Sequence, residues 1–108
     1  MNMQRDHAAA LLRNLATSII LYEKVETTAS KARMVRPIVE SLITIAKEKD
    51  TVQAIRQINQ VVLDQNAGKK LIEVLKDRYK TRKGGYTRTL KTGYRKGDAA
   101  PTVSIQLV

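Results

Sequence analysis

Between Arg78 and Gly97 the chain reads RYKTRKGGYTRTLKTGYRKG, with eight basic side chains, three tyrosines and no acidic residue. The chemistry these residue types serve is phosphate recognition. An arginine forks two phosphate oxygens in bidentate fashion, and a lysine supplies a compact point charge. The glycine turns add backbone N–H groups that approach a phosphate closely. Arg78, Lys80, Arg82, Lys83, Arg88, Lys91, Arg95 and Lys96 are therefore candidate contacts to a nucleic-acid backbone. Tyr86 and Tyr94, each beside a glycine, are candidates for stacking on unpaired bases or ribose. Tyr79 falls on an inward-facing stripe and is expected in the core. A solvated face that serves only solubility mixes its signs to limit self-repulsion, and this stretch does not.

The charge is local. The 108-residue chain carries 20 Lys and Arg against 10 Asp and Glu, a net of +10. Residues 1–66 hold nine basic and seven acidic side chains, a net of +2, whereas residues 69–96 hold eleven basic and two acidic, a net of +9. An excess of this size favours polyanion partners without choosing a fold.

Other chemistries find little support. His7 is the only histidine and there is no cysteine, so neither a thiolate metal site nor a cysteine nucleophile is available. Gly84-Gly85 belongs to neither of the glycine-rich phosphate loops, and AGKK (67–70) lacks the hydroxyl that would hold magnesium. The carboxylates are scattered among Lys and Arg as surface ion pairs would be. No catalytic residue, metal, cofactor or small-molecule substrate is expected. No apolar run approaches the ~20 residues of a membrane span, and no basic stripe faces large aromatic anchors, so a membrane partner is not expected either. The opening MNMQRDHAAALL makes a poor secretory signal, and a cytosol-like setting is the default.

The elements that must position the basic residues follow from periodicity. Ala8, Leu11, Leu12, Leu15, Ile19 and Tyr22 form one helical stripe. KVETT (24–28) alternates and predicts a short strand. Thr28 is placed to cap a second helix with its stripe at Val35, Ile38, Val39, Leu42, Ile45 and Ala46; Pro37 lies inside it and should kink it. Asp50 followed by Gln53 makes a capping box for a third helix with Val52, Ile55, Ile58 and Val62 inward. Asn66 is the candidate cap of a fourth, with Leu71, Val74, Leu75 and Tyr79 inward and Gly84-Gly85 ending it. YTRTLKT (86–92) and TVSIQLV (102–108) then alternate as strands, the latter bringing Val103, Ile105 and Leu107 to one face. The order α-β-α-α-α-β-β predicts an α+β fold, a two-layer α/β domain over residues 1–108 with a small sheet packed against its helices. A basic helix end, strand and loop suit an irregular folded RNA surface better than a regular groove, and no helix-turn-helix is indicated.

Four blocks carry a resemblance: ALLRNLATSII (10–20), VETTASKARMVRPIVESLITIAK (25–47), RY with RKGGYTRTLK (78–79 and 82–91), and GDAAPTVSIQLV (97–108). In this order and spacing they resemble the bacterial family of large-subunit ribosomal proteins numbered seventeen in the L series, from His7 to Val108; Thr51 to Asn66 matches least. The resemblance implies a non-catalytic constituent of the large ribosomal subunit. Its partners would be large-subunit (23S) rRNA, near the peptide exit tunnel, and neighbouring large-subunit ribosomal proteins. The setting would be a cytoplasmic ribosome, or an organellar one. It also implies that RKGGYTR and GYRKGD face RNA, and that Leu11, Leu12, Leu15, Val35, Ile38, Leu42 and Leu75 are core. Family members usually carry an arm rich in Arg, His and Lys ahead of the ALLRN helix. Here the stretch is MNMQRDHAA, with His7 where the family tends to have His and Ala8 in place of the Arg that commonly follows. The contacts of that arm are expected to be absent or reduced, with Arg5 and Arg13 keeping part of them. The alternative is a free-standing nucleic-acid-binding protein, either an RNA chaperone or a DNA-binding regulator.

Overall fold

The computed structural model describes the backbone from Asn2 to Val108 and the side chains from residue 9 onward. The α+β order expected from periodicity holds. Helix α1 (Asn2–Tyr22) leads into β1 (Lys24–Thr28), and α2 (Ala29–Glu48) and α3 (Thr51–Val61) follow. Next α4 (Gln65–Lys70), a π-helical turn (Leu71–Leu75) and α5 (Lys76–Arg78) run on without a break as the fourth helical stretch. The chain closes with β2 (Thr87–Tyr94) and β3 (Pro101–Leu107).

Local signals explain most boundaries. The Thr28 hydroxyl accepts from the Lys31 N–H, and the Asp50 carboxylate accepts from the Gln53 N–H at 2.9 Å, so both expected caps form. Pro37 sits on the exposed side of α2, which runs unbroken through it although Pro37 offers no N–H to the Arg33 carbonyl. The cap of α4 differs from expectation. Asp64 fills it, accepting from the Asn66 and Ala67 N–H groups, while Asn66 lies inside the first turn. The fourth helical stretch also stops earlier than the glycine pair suggested, at Tyr79, whose φ of −105° and ψ of 18° leave the helical region.

The core is aliphatic. Ile19 and Ile20 of α1, Val35, Val39, Leu42 and Ile43 of α2, Ile58 of α3, and Leu71 and Leu75 pack with Ile105. In the sheet the C-terminal strand is central: the order is β1-β3-β2, with both pairings antiparallel. Val25 and Thr89 flank Ile105 in register on the face that meets the helices. Lys24 and Arg88 flank Gln106 on the outer face. Several stripe residues lie outside the core. Leu11 is 47% and Tyr22 72% exposed, because α1 is covered on one flank only and Tyr22 is its last residue. Val52, Ile55 and Val74 are also exposed. The side of α3 against its neighbours is the one that carries Ala54 and Ile58, and among the described residues its other side stays exposed.

Candidate nucleic-acid interface

Two of the predicted contacts are committed to carboxylates. The Arg78 guanidinium grips Glu23 with both forks, Nη1 to Oε1 at 2.5 Å and Nη2 to Oε2 at 3.0 Å, and Lys70 Nζ adds a third bond at 2.8 Å to Oε2. The two cations, Arg78 first and then Lys70, hold the Glu23 carboxyl down at about 2, and the same bond pushes Arg78 further up. Arg78 therefore ties the last helix to the α1–β1 corner, and its fork is not free to take a phosphate as the sequence suggested. Arg95 likewise pairs with Asp98 inside the β2–β3 turn, where the Asp98 carboxylate also accepts from the Ala100 N–H at 3.1 Å. Arg95 and then that N–H hold the Asp98 carboxyl down at about 2. The pair closes the turn.

Lys80, Arg82, Lys83, Arg88, Lys91 and Lys96 have no carboxylate within ion-pair distance among the described residues, and neither do Lys69 and Lys76. All six of the first group are exposed. Arg82, Lys83 and Lys80 lie on the loop that leaves the last helix. Arg88 and Lys91 lie on β2, with Arg88 on the outer face of the sheet and Lys91 in register with Val103. Lys96 lies in the β2–β3 turn. Tyr94, at the end of β2, is 77% exposed.

Tyr86 is 4% exposed, its ring centroid 5.0 Å from that of Tyr79, so no base can stack on it. The residue follows the glycine pair at the foot of the loop, where the chain turns back under the helices. The structure thus gives the two glycine-flanked tyrosines opposite roles. Arg13 lies apart from the other candidates, on α1 beside Asn14, Val61 and Asp64. The side chain of Arg5 lies outside the described residues.

Folding also recruits cations from the nearly neutral first half. Lys47, in the last turn of α2, borders the same depression as Lys76 and Lys80. Lys31 borders a second depression with Tyr94 and Arg95 at the far end of the sheet. Lys24 shares the outer sheet face with Arg88, one strand away on each side of Gln106. Only the antiparallel register and the approach of α2 to the last helix put them there, so no local pattern marks them.

A two-layer α+β unit with this many uncompensated surface cations belongs among the small basic proteins, a class whose charge favours polyanion partners. The family described as ribosomal protein L17 matches residues 11–108. The large ribosomal subunit protein bL17 of Desulforudis audaxviator (strain MP104C) is 45% identical over 108 residues, all of this chain and 96% of that protein. The protein of the same name from Ehrlichia canis (strain Jake) is 47% identical over 105 residues, covering 94% of this chain and 80% of its own length. That of Rickettsia bellii (strain OSU 85-389) is 44% identical over 108 residues, 100% of this chain and 75% of its own. The chain belongs to the ribosomal protein L17 family.

Proposed function

We propose that the protein is a structural constituent of the large ribosomal subunit that binds large-subunit rRNA through the cations of the loop after its last helix and of its β2–β3 hairpin. Its place is on the ribosome in the cytoplasm, close to the peptide exit tunnel, beside other large-subunit proteins. Its work is electrostatic and steric, without turnover: lysines and arginines neutralise phosphates where RNA segments converge, and the aliphatic core fixes their spacing. Lys80, Arg82, Lys83, Arg88, Lys91 and Lys96 are the phosphate contacts in this reading, Tyr94 is the stacking residue, Lys24 and Lys31 add to the rim, and Arg13 makes a separate contact from α1. Arg78 and Arg95 contribute by shaping the surface.

One observation carries the reading. In a chain of this family, six exposed cations of the loop and hairpin have no carboxylate partner among the described residues. Neutralising roughly 6–10 phosphates makes affinity fall by about 10³–10⁵ between 50 and 200 mM salt. The isolated protein on large-subunit rRNA is expected to show that steep dependence, and a flat titration counts against it. Co-sedimentation separates this reading from a free-standing RNA chaperone or DNA-binding regulator. A ribosomal constituent stays with large subunits through a high-salt wash, and a loosely held protein is stripped.

A further inference from the structure

The loop from Lys80 to Gly85 carries three of the proposed phosphate contacts, and its sequence should make it floppy. Gly84 and Gly85 both have positive φ, 138° and 63°, in a region open mainly to glycine. A mobile basic loop loses affinity because its ordering is charged against binding. This loop is instead held at both feet and at its middle. At the feet, the Tyr79 and Tyr86 rings pack together. The last residue of the chain joins them: the Val108 N–H donates to the Tyr86 carbonyl at 2.9 Å, and the Tyr79 hydroxyl donates to the Val108 carbonyl at 2.9 Å. Within the loop the Arg82 N–H donates to the Tyr79 carbonyl at 3.0 Å, and Arg82 Nε donates to the Gly84 and Gly85 carbonyls, each at 3.2 Å.

The middle is held from outside. Lys47 Nζ, on α2, donates to the Arg82 carbonyl and to the Tyr86 hydroxyl, the latter at 2.7 Å, and the Tyr86 hydroxyl in turn donates to the same Arg82 carbonyl at 3.3 Å. Lys47 is partly buried and has no carboxylate within ion-pair distance among the described residues, although Asp77 borders the same depression. Two of its hydrogens point into the protein, at the loop. An ion pair does not explain that placement, and only one of the three ammonium hydrogens is left over for a phosphate.

We propose that Lys47 and Tyr86 form a clasp that presents the Lys80–Gly85 loop to RNA in one fixed shape, both acting as positioning residues and not as contacts. The inference rests on the RNA-binding function proposed above. It assigns a role to a residue, Lys47, that lies outside the basic stretch, and a new one to Tyr86.

Tyr86→Phe is the sharpest test, since it removes one oxygen and no charge and leaves the buried ring in place. Tyr86→Phe, Lys47→Met, Lys47→Arg and the Tyr86→Phe/Lys47→Met double variant are compared by thermal melting, by hydrogen exchange of the loop amides, and by affinity across a salt series for an in-vitro transcript of large-subunit rRNA. Tyr86→Phe is expected to speed exchange at residues 82–85 and weaken binding about three- to tenfold at an unchanged salt slope, a loss equivalent to ordering a few groups. Lys47→Met should do the same, Lys47→Arg should restore much of it, and the double variant should bind no worse than Lys47→Met. Wild-type exchange and affinity in Tyr86→Phe would overturn the clasp. So would a Lys47→Met variant whose salt slope drops by about one while Tyr86→Phe binds normally, because that pattern marks a direct phosphate contact. Failure of the wild-type protein to bind the transcript would instead sink the proposed function, while the exchange measurement still reads the clasp by itself.

Discussion

Glu23 holds a backbone φ of 65°, where glycine is the usual occupant after a helix C-terminus. A non-glycine residue there costs about 1–2 kcal/mol. What retains glutamate is its reach. Its carboxylate joins Arg78 and Lys70 while its carbonyl accepts from the Leu107 N–H at 2.9 Å, so one residue ties α1, the last helix and β3 together. Because the folded carboxyl sits at about 2 against an ordinary 4.5, the ionised form is the stabilising one. Its contribution is full above pH 4.5 and disappears as pH falls toward 2. Glu23 and Arg78 are about a third exposed and Lys70 a fifth, so solvent screening limits the gain to about 1 kcal/mol or less. Denaturant titrations of wild type and Glu23→Gln should differ by that amount at pH 7 and converge as pH falls to about 2. A gap that persists in acid would mean the carboxylate charge is not the cause. Burial makes a second contrast at this scale. Ile105→Ala should cost about 2–5 kcal/mol through lost burial and a cavity. Leu11→Ala, at a half-exposed site, should cost well under half as much in the same titration, despite both residues being placed on apolar stripes.

At the scale of elements, the capping signals were legible because they act within four residues. Thr28 and Asp50 each stand immediately before an apolar periodicity, and each caps its helix. The fourth helix was expected to be capped by Asn66, whereas Asp64, two positions earlier, caps it, and local pattern does not separate two residues of equal capping chemistry. The path of the chain out of α3 does, by starting the helix at Gln65. Asp50→Ala and Asp64→Ala should therefore each lower stability by about 1 kcal/mol. Asn66→Ala should leave thermal melting within the scatter of a neutral surface change, or raise it slightly through better helix propensity. A loss at Asn66 equal to that at Asp64 would return the cap to Asn66. The π-helical turn at Leu71–Leu75, where the Lys76 N–H reaches back to the Leu71 carbonyl, left no sequence signal. Apolar spacing of three and four residues reads alike for α and π turns.

Across the whole molecule, the cations of the candidate surface are of three kinds: those of the basic stretch open to a phosphate, those of the stretch consumed by the fold, and those brought in from elsewhere. Replacing Lys80, Lys83 and Arg88 together with methionine should weaken rRNA binding and reduce the salt slope by about three, roughly one for each phosphate no longer neutralised. Melting should change little, since all three side chains are exposed and unpaired among the described residues. A slope that stays put would mean these cations face away from the RNA. Unfolding would mean they carry structure.

From the chain of letters alone came the α+β element order, the strand that carries Val103, Ile105 and Leu107, two of the three side-chain caps, and the local concentration of charge. Each is a property of neighbours in sequence, set by the periods of helix and strand and by residues a few positions apart. Tertiary structure decided which cations remain available. Glu23 captures Arg78 across 55 positions, Lys47 reaches Arg82 across 35, and the central place of β3 sets Lys24 beside the line of Arg88. The same packing drew Tyr86 inward and left Tyr94 in solvent. The physical reason is range. A charge is neutralised, and a ring covered, by whatever folding brings within a few ångströms, and at these residues the partners come from distant parts of the chain.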